Sequence, residues 1–285
     1  MIRPLVLAAL TAAATLLTAT LSAVTPAHAA IPGDEVVWSD PAGPTSATSR
    51  INSVSCPSGK QLIGARAFTR GAPRDTLVTA LIPTATAAVA LAREDEDGTD
   101  REWSLIVEAV CALPVPGHQI LVQHSDTTST NKQVRATCPA GKKLLTAGWN
   151  TQGEGQVWVN QVSFASDLTS VAVTGMEDPD GYAGTWRLST YAVCADPLPG
   201  QSVHTAASVT DQSDKMFDVR CESHQRWLAA GWSFIAAGGV TPAGQVSPNL
   251  WAIGTSWFQL NAWEDDDGFA HDWYAVGRAV CVNRV

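Results

Sequence analysis

Three acidic stretches carry the residue types best suited to chemistry. They are EDEDGTDREW at 94–103, EDPDGYAGTW at 177–186 and EDDDGFAHDW at 264–273. Clustered carboxylates can hold a hard cation, work as an acid–base pair, or solvate a tight turn. An EF-hand loop needs an acidic first ligand four residues before the last Asp. Arg93, Met176 and Trp263 stand there, so that template fails in all three copies. Three copies of one pattern suit a scaffold better than a single catalytic pair. The plainest reading is a structural turn at Asp97-Gly98, Asp180-Gly181 and Asp267-Gly268, with glycine supplying positive φ. No metal site and no cofactor is expected.

Other catalytic patterns are missing. The chain has no G-x-S-x-G elbow and no H-E-x-x-H helix motif. His118, His124, His204, His224 and His271 occupy no equivalent repeat positions. His118 and His124 can share a strand face but have no third ligand nearby. Arg66, Phe68 and Arg70 alternate onto one strand face with Arg74 nearby, which reads as a solvated face or a surface for an acidic glycan or an acidic partner.

The acidic stretches belong to a longer repeat. Each ends in a Trp followed eight residues later by a Cys within AVC: Cys111, Cys194 and Cys281. CPSGKQLIGA starts at Cys56, CPAGKKLLTAGW at Cys138, and the degraded copy CESHQRWLAAGW at Cys221. A Pro-Gly precedes each, ending at Gly33, Gly117 and Gly200. The predicted layout is a signal peptide over 1–30 and repeats over 31–115, 116–198 and 199–285, each of ~84 residues, in one compact domain.

Arg3, an apolar run and AHA at Ala27–Ala29 have the form of a secretory signal. All six cysteines follow it, and an even count in an exported chain implies three disulfides. The expected pairs are Cys56–Cys111, Cys138–Cys194 and Cys221–Cys281, with pairing across repeats left open. The net charge of −9 becomes about −10 without the signal, which argues against a nucleic-acid or anionic-membrane partner.

Short alternating apolar runs punctuated by Gly, Pro, Ser and Thr predict an all-β fold. About five strands are read in each repeat. Trp103, Leu105, Val107, Ala109 and Cys111 share one face of the last strand, which places that Trp on the core side with the disulfide. A pseudo-threefold β-prism-like arrangement is expected, with tandem small β-sandwiches as the alternative.

Trp103, Trp186 and Trp273 recur at one position and are read as core. Trp227, Trp232, Trp251, Trp257 and Trp263 crowd the third repeat, and Trp158 stands in the middle hairpin of the second. Aromatic rings stack on sugars and anchor interfaces. The candidate binding residues are therefore Trp158 with Asn160, Trp251 with Asn249, and Trp257.

CPAGKKLLTAGW, EDPDGYAGTW and YAVCA resemble the repeats of small secreted actinobacterial proteins. The resemblance covers nearly the whole chain after the signal. It implies an exported β-rich repeat protein and no catalytic residues. The expected function is non-enzymatic and lectin-like, with glycan or cell-surface polymer as ligand. The alternatives are an adaptor subunit bound to another secreted protein, and an extracellular enzyme with an unrecognised site.

Overall fold

The computed structural model describes residues 30–284 except 41, 42, 44, 237, 239–241, 243, 253, 266 and 267. The signal peptide read from the sequence, 1–30, lies outside the described residues except for Ala30. All eighteen regular elements among the described residues are strands. The first repeat holds β1 (Glu35–Trp38), β2 (Ser49–Ser55), β3 (Gln61–Arg70), β4 (Thr76–Pro83), β5 (Ala87–Glu94) and β6 (Ser104–Ala112). The second holds β7 (Gln119–His124), β8 (Lys132–Thr137), β9 (Lys143–Thr151), β10 (Val157–Phe164), β11 (Ser170–Glu177) and β12 (Leu188–Ala195). The third holds β13 (Ser202–Ala207), β14 (Lys215–Arg220), β15 (Gln225–Ala236), β16 (Val246–Ala252), β17 (Trp257–Glu264) and β18 (Trp273–Asn283). Six strands stand in each repeat where about five were expected.

The pairing repeats as well. β1-β6-β3, β7-β12-β9 and β13-β18-β15 are equivalent antiparallel triplets, and so are β2-β5-β4, β8-β11-β10 and β14-β17-β16. Each disulfide ties the end of the second strand to the last strand, so it joins the two triplets of one repeat: Cys56–Cys111, Cys138–Cys194 and Cys221–Cys281. They close spans of 55, 56 and 60 residues, each adding roughly 4 kcal/mol in the chain-entropy account. Three disulfides are characteristic of exported proteins.

Triplets of neighbouring repeats merge. β4 pairs with β9 through Ala80–Asn150 and Leu81–Trp149, and β10 pairs with β15 through Gln161–Ser233 and Val162–Trp232. Two six-stranded sheets result, leaving a three-stranded sheet at each end of the chain. This sharing of sheets rules out three independent sandwiches. β3, β9 and β15 also touch one another. Ile63, Leu145 and Leu228, seven residues after the first Cys of each repeat, meet in one buried cluster.

The last strand of the first repeat is buried on both faces. In β6, Leu105, Val107, Ala109 and Cys111 enter the main core with Trp103, while Val110 and Ala112 enter the cluster shared by the repeats. Two glycines permit the merging. A Cβ on Gly148 would stand 2.2 Å from the Leu81 carbonyl oxygen, and one on Gly231 would stand 2.5 Å from that of Val162. Arg66 occupies the corresponding position of the first repeat. There β3 and β16 touch but, among the described residues, no ladder joins them.

Candidate functional site

The acidic turns are built around the recurring Trp. Its indole N–H donates to the first Glu of each stretch: Trp103 to Glu94 at 3.0 Å, Trp186 to Glu177 at 2.7 Å, Trp273 to Glu264 at 2.6 Å. The next residue accepts the glycine N–H: Asp95 from Gly98, Asp178 from Gly181 and Asp265 from Gly268. Those glycines have φ of +67°, +83° and +72°. The carboxylates that hold the turn are thus Glu94 and Asp95 and their equivalents. Asp97 and Asp180 are exposed, and Asp267 lies outside the described residues. A cation covers each Trp ring: Arg50 over Trp103, Lys132 over Trp186, Lys215 over Trp273. All three stand six residues before the first Cys of their repeat, a spacing visible in the sequence and missed.

The first two turns meet where their repeats join. One carboxylate oxygen each from Glu96, Asp178 and Asp180 lies within 4.8 Å of the others. Burial pushes the Asp95 carboxyl up to about 7, with the Glu96 charge next in weight. Burial likewise pushes Asp178 up to about 7, helped by Asp180 and Glu96, and raises Glu96. A carboxyl whose folded pKa exceeds its unfolded value near 4 opposes folding once ionised. Stability measured in chelator should therefore rise as pH falls from 8 through 7 toward 5. Asp178→Asn should be more stable than wild type at pH 8 and show a shallower slope. Thermal melts across that range test this, and a flat wild-type profile contradicts it.

A different feature marks the junction of the first and third repeats. Here side chains replace the backbone ladder. Arg66 pairs with Glu108 directly across β3 and β6, and lies 3.3 Å from the centre of the Trp227 ring. Asp34 meets Arg226 at 2.7 Å. Arg74 pairs with Asp214 and donates to the Glu264 carbonyl at 2.8 Å. Asn249 Nδ2 donates to the Thr69 carbonyl at 3.0 Å, and Ser247 Oγ to that of Pro73. The expected solvated face of Arg66 and Phe68 is in fact buried: Arg66 lies against the Trp227 ring of the third repeat and Phe68 packs edge to face on Trp38 of the first; only Arg70 of that set is exposed.

Beside this junction lies a groove of about 460 Å³. One wall is the period-two face of β16 and β17: Asn249 and Trp251 on the first, Gln259, Asn261 and Trp263 on the second. Met216 of β14 and Thr69, Arg70, Gly71 and Pro73 of the first repeat complete it. Trp251 is 46% exposed and Met216 66%. Arg70 sits 6.0 Å from the Trp251 ring centre, and Arg74 5.3 Å from that of Trp263. The Oδ1 atoms of Asn249 and Asn261 and the Trp263 Nε1 are buried without partners.

Only part of the predicted binding set gathers here. Asn249 and Trp251 line the groove. Trp158 is 2% exposed and points with Trp149 and Trp232 into a small apolar cavity between the repeats, so it cannot stack on a ligand. Asn160 is buried too. Trp257 lies elsewhere, its ring covered by Arg220 at 4.3 Å. Trp263 and Met216 were missed as groove residues; the alternation Gln259-Asn261-Trp263 was the available signal. His118 and His124 do not converge: one contacts the Leu62 carbonyl and the other the Ser189 hydroxyl. The chain matches no protein-family model and no curated protein.

Proposed function

We propose that the chain is a secreted, non-enzymatic binding protein, lectin-like in its logic. In this reading the three repeats close around a pseudo-threefold axis in a β-prism-like way, and the groove between the first and third repeats takes a glycan or cell-surface polymer. The observation that carries it is Trp251, open to solvent, in line with Trp263, Gln259 and the two Asn on one sheet face. An indole face stacks on the apolar face of a sugar ring, while amide and guanidinium groups bond its hydroxyls. The net charge of −9 favours neither nucleic acid nor an anionic membrane as partner. A second reading rests on Met216, a soft apolar side chain at the groove edge, which suits a protein partner and an adaptor role.

A glycan array with the full chain tests the first reading. Trp251→Ala should weaken any bound glycan roughly tenfold or more, the loss expected of a central aromatic contact. Trp257→Ala should leave binding unchanged. Absence of glycan binding, with another secreted protein co-purifying through the same groove, would shift the assignment to the adaptor.

A further inference from the structure

We propose that Glu96, Asp178 and Asp180 form a divalent-cation site of calcium's chemistry where the first and second repeats meet. The three come from two different acidic turns, brought together by the fold. Oxygens bound to one calcium ion lie roughly 2.3–2.6 Å from it, so two of them are no more than about 5 Å apart. The three carboxylate oxygens fit within that limit, all lying within 4.8 Å of one another.

The second observation concerns Asp178 alone. Its side chain is buried, with 5% relative exposure. Oδ1 accepts the Gly181 N–H at 3.0 Å, and Oδ2 has no hydrogen-bond partner. A buried carboxylate oxygen without a donor is costly unless something positive completes it. Among the described residues, no ion pair reaches Glu96, Asp178 or Asp180. The carboxylates beside the Asp178 side chain are those of Asp180 and Glu96. Glu96 and Asp180 are exposed, so an ion and its remaining water ligands have a path from solvent.

The repeat explains why the site stands at this junction. The position of Glu96 is held by Pro179 in the second repeat, which has no carboxylate to offer the next one. The turn of the third repeat faces Arg74 through its Glu264 carbonyl, so a fixed cation already stands there. An ion at the first junction would bridge two repeats and stabilise their contact.

The test uses the full chain, stripped with chelator, and calcium chloride alone as probe. Calorimetric titration should show one ion per chain with a dissociation constant in roughly the 0.1–1 mM range of extracellular modules. Calcium at tenfold excess over that constant should raise the melting temperature. Asp178→Asn and the exposed-site variant Asp180→Asn should each weaken binding tenfold or more. Absence of heat and of any melting shift with the wild type overturns the proposal. So does unaltered calcium affinity in a folded Asp180→Asn variant.

Discussion

Replacing Glu108 by alanine should cost about 3–5 kcal/mol of stability and lower the melting temperature by roughly 10 °C. Glu108 is fully buried and Arg66 nearly so. The two are direct cross-strand neighbours in β3 and β6. Burial holds the Arg66 guanidinium well below its ordinary pKa, and the nearby Arg226 adds to this. With Glu108 gone, a cation would remain in the core with only the Trp227 ring face and one carbonyl, 3.3 Å away, to stabilise it. That residual attraction is of the order of 2 kcal/mol, less than the cost of an unpaired buried charge.

A paired replacement separates the charge from the packing. Arg66→Met with Glu108→Leu removes both charges and keeps most of the volume. Such exchanges of buried pairs are often neutral or stabilising. The double variant should recover most of what Glu108→Ala loses, as read by urea unfolding with an unchanged slope. If Glu108→Ala alone costs less than about 1 kcal/mol, a typical surface-pair value, the Arg66–Glu108 pair does not hold this junction.

The same pair shows where sequence reading stopped. Alternation placed Arg66 and Phe68 on one strand face, correctly. It could not tell a face open to water from one covered by a distant repeat. The equivalent cross-strand pairs are Gly148–Tyr191 and Gly231–Arg278, so the charged pair marks the one junction where the glycine is absent. The disulfides, the core position of Trp103, Trp186 and Trp273, and the all-β class were legible because they depend on periodicity within a repeat. The merging of sheets depends on a glycine that lets a foreign strand approach, which no periodicity encodes. The groove was half legible. Asn249 and Trp251 were read from composition, whereas Trp158 was misplaced because an aromatic between repeats and one in solvent look alike in sequence. The Trp–Glu bonds were hidden within a motif already in view: the nine-residue interval from Glu94 to Trp103 is itself the hydrogen-bond spacing.

Trp232→Ala should be comparably damaging, at about 3–5 kcal/mol for a large buried aromatic. Trp149 and Trp232 occupy equivalent positions, are nearly fully buried, and meet edge to face at 5.3 Å. Each indole N–H donates at 3.0 Å to a carbonyl of the preceding repeat, Trp149 to Val78 and Trp232 to Val159. Those carbonyls sit at the β-bulges of β4 and β10, where the register slips between Val78 and Ala80 and between Val159 and Gln161. A bulge frees a carbonyl from its ladder and turns the strand, and the indole captures it. The third repeat, where β16 pairs with β17 without a bulge, faces Ala67 in place of that Trp. The ring and its bond therefore act together to couple one repeat to the next. Trp232→Phe keeps most of the volume and loses the bond, leaving the Val159 carbonyl unsatisfied at about 1–3 kcal/mol. Trp251→Ala, at an exposed position, should change stability by no more than about 0.5 kcal/mol. Denaturant unfolding of the three variants separates these contributions. Equal losses for Trp232→Phe and Trp232→Ala would make the hydrogen bond the dominant link. A loss below 1 kcal/mol for Trp232→Ala would mean that the repeats are coupled elsewhere.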